Sequence, residues 1–98
     1  MEAVLHALRA DAARRTGLPE ASLAVRSVDS VTWRDGALGC PEPGRLYPQV
    51  LVPGYRVTVT ADGVESLVYH VNARNGAWVQ CPAARATPPL PPRDDPHV

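Results

Sequence analysis

Residues 55–71 read YRVTVTADGVESLVYHV, and this stretch decides how the rest of the chain folds. Apolar and polar residues alternate on both sides of Asp62-Gly63, which is the pattern of two half-buried strands. The alternating apolar positions are Tyr55, Val57, Val59, Leu67, Tyr69 and Val71. Asp-Gly favours the positive φ angles of a tight turn. The stretch therefore predicts a β-hairpin with one apolar face.

Further strands flank this hairpin along the chain. Residues 23–33 predict a long strand, and a slip in their alternation near Ser27-Val28 indicates a bulge. Asn75-Gly76 predicts a second hairpin turn, which leads into a last strand at residues 77–81. These strands follow one another with short connections, so we expect an antiparallel meander.

The pattern is irregular between residues 34 and 54. Residues 38–40 are a candidate return strand, and residues 49–52 form a short apolar run that Pro53-Gly54 is expected to break. Between them, Pro41-Glu42-Pro43-Gly44 predicts a loop, because proline restricts the backbone and removes hydrogen-bond donors. The number of strands is therefore expected to be four or five.

Residues 2–16 predict a helix ahead of the strands. Its apolar stripe at helical spacing consists of Val4, Leu5, Leu8 and Ala12. The polar residues expected to face away from this stripe are Arg9, Asp11 and Arg14. Gly17 is a suitable left-handed C-cap, and Pro19 prevents the helix from continuing.

A helix followed by four or five antiparallel strands indicates the α+β class, with the N-terminal helix packed on one face of the sheet. Trp33 and Trp78 are expected in the core, because aromatic side chains pack well on sheets. Residues 1–81 are predicted to form a single domain. Residues 82–98 hold six of the eleven prolines and few apolar side chains, so they predict a flexible tail.

The charge balance bears on possible partners. Ten basic residues, all arginine and mostly scattered, are matched by ten acidic ones, so the sequence lacks the basic footprint of a nucleic-acid-binding protein. No apolar run approaches the ~20 residues that span a bilayer. The N-terminus lacks the features of a signal peptide. The chain is expected either to be cytoplasmic or to be the mature form of an exported or envelope protein, and its cysteines favour export.

Cys40 and Cys81 are the only cysteines. A disulfide is the preferred interpretation, because both end apolar segments whose strand ends could meet. A metal site is disfavoured, since zinc usually takes four ligands that include a closely spaced pair. A catalytic cysteine would need a base, for which His70 is the candidate. We predict no metal, no cofactor and no catalytic residue.

The loop after Cys40 is the candidate binding surface, because a loop stiffened by proline loses less entropy on binding. Its predicted residues are Pro41, Pro43, Gly44, Arg45, Leu46 and Tyr47, together with the neighbouring Pro53 and Gly54. Arg45, Leu46 and Tyr47 are the expected contact side chains. The alternative is a purely structural crossing of the sheet.

Residues 33–44 read WRDGALGCPEPG and are followed by Tyr47-x-Gln49, by PGYR at 53–56, by Tyr69-His70 and by Cys81. This set resembles an uncharacterised family of small bacterial proteins with the pattern WxDGxLGCPxPG, YxQ, PGYR, YH and a closing Cys. The resemblance covers residues 18–81. It implies no particular activity. Members of the family often look exported or lipid-anchored behind an N-terminal leader, and this chain departs from them in showing no such leader.

A looser resemblance is to the cystatins, which wrap a sheet around a helix and block cysteine proteases with a Gln-x-Val-x-Gly hairpin. The corresponding stretch here is Gln49 to Gly54, one residue longer. Together these observations predict a non-catalytic binding or inhibitory module that presents a rigid proline-rich loop to a protein partner. The alternative is a structural or accessory domain of the cell envelope, and an enzyme is not expected.

Overall fold

The computed structural model describes residues 1–63 and 65–91. The elements in chain order are helix α1 (Glu2–Thr16), a 3₁₀ turn (Glu20–Ser22) and strands β1 (Leu23–Trp33), β2 (Val52–Ala61), β3 (Glu65–Asn72) and β4 (Trp78–Gln80). The four strands pair antiparallel in the order β1-β2-β3-β4. The predicted α+β class, with a helix on an antiparallel meander, is confirmed.

Helix α1 has the predicted bounds. Gly17 ends it in the left-handed conformation, with φ of 74°, and its N–H donates to the carbonyl of Ala13 at 2.9 Å. The helix packs on the face of the sheet that carries the alternating apolar residues. The buried members of this main core are Leu8, Ala12, Leu23, Val57, Val59, Ala61, Tyr69 and Val71.

Asp11 corrects one expectation about the helix. It was expected to face solvent, but it is only 7% exposed and accepts a 2.7 Å hydrogen bond from the Tyr69 hydroxyl on β3. Positions 8, 11 and 12 are three and four residues apart, so they share one helix face. Arg14 and Arg15, one turn further along, also contact the carboxylate at 3.2 and 2.6 Å. Asp11 therefore links the helix to the sheet through its hydrogen bond with Tyr69.

The environment of Asp11 favours its charged form. Burial alone would raise the pKa of the carboxyl, but hydrogen bonds from Tyr69 and Arg15 and the charges of Arg15 and Arg14 outweigh burial and lower the pKa. Burial and the hydrogen bond to Asp11 in turn raise the pKa of Tyr69. The native state consequently prefers ionised Asp11 more strongly than the unfolded chain does.

We expect Asp11→Asn to lower the free energy of unfolding by about 1–3 kcal/mol at neutral pH, because it weakens hydrogen bonds to a charged group. A lowered native pKa gives stability that is present above the unfolded value of about 4 and is lost as the pH falls through the native value. The difference between wild type and variant, measured by urea unfolding, should therefore shrink below about pH 4. A difference that stays constant down to pH 2 would contradict this account.

Two local features of the sheet, a bulge in β1 and the turn between β2 and β3, follow signals in the sequence. The register of β1 on β2 shifts between Val25 and Ser27, so Arg26 is the extra residue of a bulge slightly earlier than predicted. At the β2–β3 turn, Asp62 and Gly63 have φ of 50° and 72°. The predicted Asp-Gly turn is confirmed.

Two expectations in the irregular region are wrong. Residues 38–40 form a turn instead of a strand, because Leu38 and Gly39 both have positive φ, at 57° and 70°. Pro53-Gly54 does not break the chain but lies inside β2. Pro53 is tolerated there because the β2–β3 register begins only at Gly54, so its missing N–H removes no bond between these strands.

Candidate functional site

A second, smaller core lies on the sheet face opposite the helix, beneath the region that connects β1 and β2. Its buried members are Trp33, Leu38 and Val52, with Val31 packed against them. The Trp33 ring is fully buried, and its indole N–H donates to the carbonyl of Val71 at 3.0 Å. Trp78 lies on the helix side, where it packs edge-on against Tyr69 at 5.6 Å. Trp33 is thus the central residue of the small core that lies beneath the candidate loop.

His70 lies directly beneath Trp33. Their rings stack at 4.3 Å with an interplanar angle of 23°, and His70 Nδ1 is 2.6 Å from the carbonyl oxygen of Leu38. His70 is 2% exposed. Burial lowers its pKa, opposed by the contact with Leu38 and helped by the charge of Arg56. His70, the candidate base, is therefore engaged in packing and in holding the turn.

Gly54 leaves room for this arrangement. A Cβ on Gly54 would overlap the carbonyl oxygen of Val71 and would lie 2.8 Å from Cδ1 of Trp33. Only a residue without a side chain fits between β2 and the indole ring. Gly54 is accordingly buried and is not available as an exposed loop residue, which corrects its assignment to the binding surface.

Cys40 and Cys81 form a disulfide, with Cα atoms 5.8 Å apart. Both residues are buried, at 3% and 2% exposure. The bond ties the start of the loop to the residue that follows β4. The predicted pairing is confirmed, and Cys40 is not a free thiol.

The loop from residue 41 to residue 51 is held together by contacts among its own residues. The main chain turns at Glu42, whose carbonyl accepts from the N–H of Arg45 at 3.2 Å. The N–H of Glu42 donates to the Tyr47 hydroxyl at 3.1 Å. The Arg45 guanidinium pairs with the Glu42 carboxylate at 3.1 Å and lies 5.2 Å from the centre of the Tyr47 ring. At the far side, the N–H of Gly36 donates to the carbonyl of Pro48 at 2.9 Å.

These contacts leave an apolar tip without cover. Leu46 is 97% exposed, and Val50 and Leu51 further along the loop are each just over half exposed. Arg45 and Tyr47, the other two expected contact side chains, hold the loop in shape through Glu42. Leu46 is the most exposed of the large apolar residues on the loop.

The predicted binding residues are thus only partly brought together. Those that lie exposed on the loop are Pro41, Pro43, Gly44, Arg45 and Leu46, while Tyr47 is half-buried. Pro53 is exposed on β2, whereas Gly54 is covered by Trp33. Val50 and Leu51 are exposed beside these residues but were not among the predicted ones, although an apolar run beside prolines is a signal that could have identified them.

The C-terminal segment, residues 82–91, is the described part of the predicted tail. The N–H of Thr87 donates to the carbonyl of Gly39 and the N–H of Leu90 to that of Thr32, both at 2.9 Å. Arg85 approaches Cys40 Sγ at 3.3 Å. These contacts argue against free movement of this segment, while the flexibility of the tail as a whole stays a prediction. Residues 92–98 lie outside the described residues.

Truncation tests the role of the C-terminal segment. A chain that ends at Cys81 loses the bonds made by Thr87 and Leu90, and each such bond contributes about 0.5–1.5 kcal/mol. We expect its free energy of unfolding to fall by about 1–3 kcal/mol. A matched chain that ends at Pro91 keeps both bonds and should unfold like the full chain. Equal unfolding midpoints for the two truncated chains would show that the segment adds no stability.

Among residues 1–63 and 65–91, no group of three or more His, Cys, Asp or Glu side chains is arranged to hold a metal ion. Within the same ranges, no helix combines the length and the apolar character needed to cross a membrane.

The fold and the loop define a small disulfide-linked α+β domain with a displayed loop. A family model described as Domain of unknown function (DUF8738) matches residues 5–81. The chain belongs to this family. No curated protein matched the chain, and no solved structure matched it.

Proposed function

We propose that this domain is a non-catalytic binding or inhibitory module whose protein partner contacts the loop at Leu46. The observation that carries the proposal is an almost fully exposed leucine at the tip of a loop whose shape is held by contacts among Glu42, Arg45 and Tyr47. Exposing a leucine has no benefit for folding. Presenting it on a backbone that is already ordered lowers the entropy lost on association.

The supports of the loop favour a fixed shape before binding. Cys40 holds its first residue through the disulfide, and Pro48 holds its return through Gly36. Prolines 41, 43 and 48 further limit the backbone. A partner with an apolar pocket for Leu46, bordered by contacts for Val50 and Leu51, matches this surface.

The disulfide also supports a location outside the cytoplasm. A buried Cys40–Cys81 bond is compatible with an oxidising compartment. We therefore include in the proposal that the protein works outside the cytoplasm, in an exported or envelope setting.

A photo-crosslinking residue in place of Leu46 tests the binding role directly. In an envelope extract of the source organism, we expect a defined adduct from position 46 and none from a matched probe at Ala83, which is also exposed. Excess unlabelled wild type should abolish the adduct. Excess Leu46→Asp should not, because losing an interface anchor costs roughly tenfold or more in affinity.

The Leu46→Asp variant should unfold like wild type, within about 0.5 kcal/mol, since exposed positions tolerate substitution. If it competes as well as wild type, or if both probes give the same adducts, the loop is not the binding surface. That result would favour the structural or accessory role in the envelope.

A further inference from the structure

The outer edge of β1 presents main-chain groups that β2 does not use. Strand β1 is the first in the order β1-β2-β3-β4, so only one of its edges is paired within the sheet. Thr32 lies opposite Pro53, whose carbonyl accepts from the N–H of Ala73 at 2.9 Å and so points away from β1. The pair of Thr32 and Pro53 is therefore a non-hydrogen-bonded pair in the ladder. The main-chain groups of Thr32 therefore point outward. The carbonyl of Thr32 does accept a bond from outside the sheet, from Leu90 at 2.9 Å.

The same orientation recurs at Ser30 and Val28, because the direction of main-chain groups alternates along a strand. Val28, Asp29 and Ser30 are exposed in succession, and Val28 is 42% exposed. Within residues 1–63 and 65–91, no main-chain bond from outside the sheet reaches Val28 or Ser30. An unpaired edge of this kind is a ready template for another extended chain.

The C-terminal segment occupies only the end of this edge. It runs antiparallel to β1, since Thr87 bonds to Gly39 and Leu90 bonds to Thr32. In a continued antiparallel pairing, the residue opposite Ser30 would be number 92, which is a proline and has no N–H to donate. A pairing continued in this way would therefore leave the carbonyl of Ser30 without a donor.

A groove runs beside the same stretch of β1. It has a volume of about 1020 Å³, and its lining includes Ser30, Thr32, Leu51, Tyr55 and Leu90. Ser30 lies opposite Tyr55 in the β1–β2 register, so the two side chains are neighbours on one face. A strand added at the edge would direct alternate side chains toward this groove.

A second copy of the chain is a poor occupant. Symmetric antiparallel pairing centred on Asp29 places two aspartates opposite each other, and like charges in this position are destabilising. Centring the pair on Val28 sets Ser30 opposite Arg26, where the bulge interrupts the ladder. Centring it on Ser30 requires Thr32, whose carbonyl already accepts a bond from the C-terminal segment.

We propose that the outer edge of β1 at Val28–Ser30 binds an extended peptide segment of another protein, which adds to the sheet as a further strand. The ligand is a segment with free N–H groups at the two bonded positions and an apolar side chain directed toward Tyr55. On the opposite face, a basic side chain across from exposed Asp29 completes the match. This surface does not depend on the role proposed for the loop tip.

A display library of short linear peptides, selected on the immobilised full-length protein, tests this surface. We expect enriched peptides with alternating apolar residues and a basic residue between them. Ser30→Pro removes an outward N–H without touching the β1–β2 ladder, and should weaken the selected peptides roughly tenfold or more. Ser30→Ala alters only the side chain and should bind within about twofold of wild type.

Amide hydrogen exchange provides an independent measurement if Ser30→Pro does not fold. In the wild-type protein, the amides of Val28 and Ser30 should exchange quickly when free and more slowly with a selected peptide. The proposal is overturned if no peptide is enriched, if Ser30→Pro binds as wild type does, or if these amides are not protected. A concentration-dependent dimer that Ser30→Pro abolishes would also overturn it, because the occupant would then be a second copy.

Discussion

Trp33→Ala is expected to lower the free energy of unfolding by about 3–5 kcal/mol, the usual range for removing a buried aromatic side chain. Trp33 is fully buried and fills the space above Gly54. Its loss would also uncover His70 and leave the carbonyl of Val71 without its indole donor. The total free energy of unfolding of a native domain is about 5–15 kcal/mol, so much of the stability would be lost.

Trp78→Ala is the matched control, because it removes the same atoms from a partly buried site on the other face of the sheet. We expect a clearly smaller loss there, and urea unfolding of both variants measures the difference. Surface substitutions usually change the free energy of unfolding by no more than about 0.5 kcal/mol. If the losses of the two variants agree within that limit, the small core around Trp33 does not support the loop. A second expected consequence is that Trp33→Ala, unlike Trp78→Ala, makes proteases cleave the loop of the native state faster than they cleave it in wild type.

Removing the disulfide is expected to have an effect of similar size. Cys40 and Cys81 are 41 residues apart in sequence, and a cross-link of that span stabilises by about 4 kcal/mol in the chain-entropy description. We expect the Cys40→Ala, Cys81→Ala double variant to lose about that amount in urea unfolding. Alanine is the suitable replacement, because both positions are buried and a serine hydroxyl would lack partners there.

Reductant provides the control for this prediction. A dithiol reductant should lower the unfolding midpoint of wild type toward that of the double variant and leave the variant unchanged. Thiol titration of unfolded, unreduced wild type should find no free cysteine. Two titratable thiols, or an equal response of both proteins to reductant, would contradict the bond and weaken the case for an exported location.

Local sequence patterns were sufficient to predict the elements that depend on residues close together in the sequence. Helix α1 and the hairpin at Asp62-Gly63 were predictable, because spacing and turn residues act over a few positions. Asp11 was misplaced although its spacing from Leu8 put it on the buried face. Aspartate is usually a surface residue, and the partner that makes its burial favourable, Tyr69, lies 58 residues away.

The region between β1 and β2 could not be predicted from local patterns. Pro53-Gly54 is a strong turn signal, yet Gly54 is a strand residue because Trp33 from β1 lies against it. Leu38 adopts positive φ in a turn whose carbonyl contacts His70 on β3. In both cases the deciding contact comes from a distant strand. The exposure of Leu46 was predicted from the sequence. The contacts of Arg45 and Tyr47 with Glu42 within the loop are evident only from the structure.

The position of the disulfide has a consequence for a molecule cut by a protease. The exposed peptide bond after Arg45 lies between Cys40 and Cys81 in the sequence, so cleavage there leaves one cysteine on each fragment. The fragments also remain joined by the pairing of β1 with β2. A nicked molecule would thus stay assembled, with new chain ends at the former loop tip. In a protease-rich surrounding, backbone cleavage after Arg45 would change the shape of this surface without releasing half of the protein.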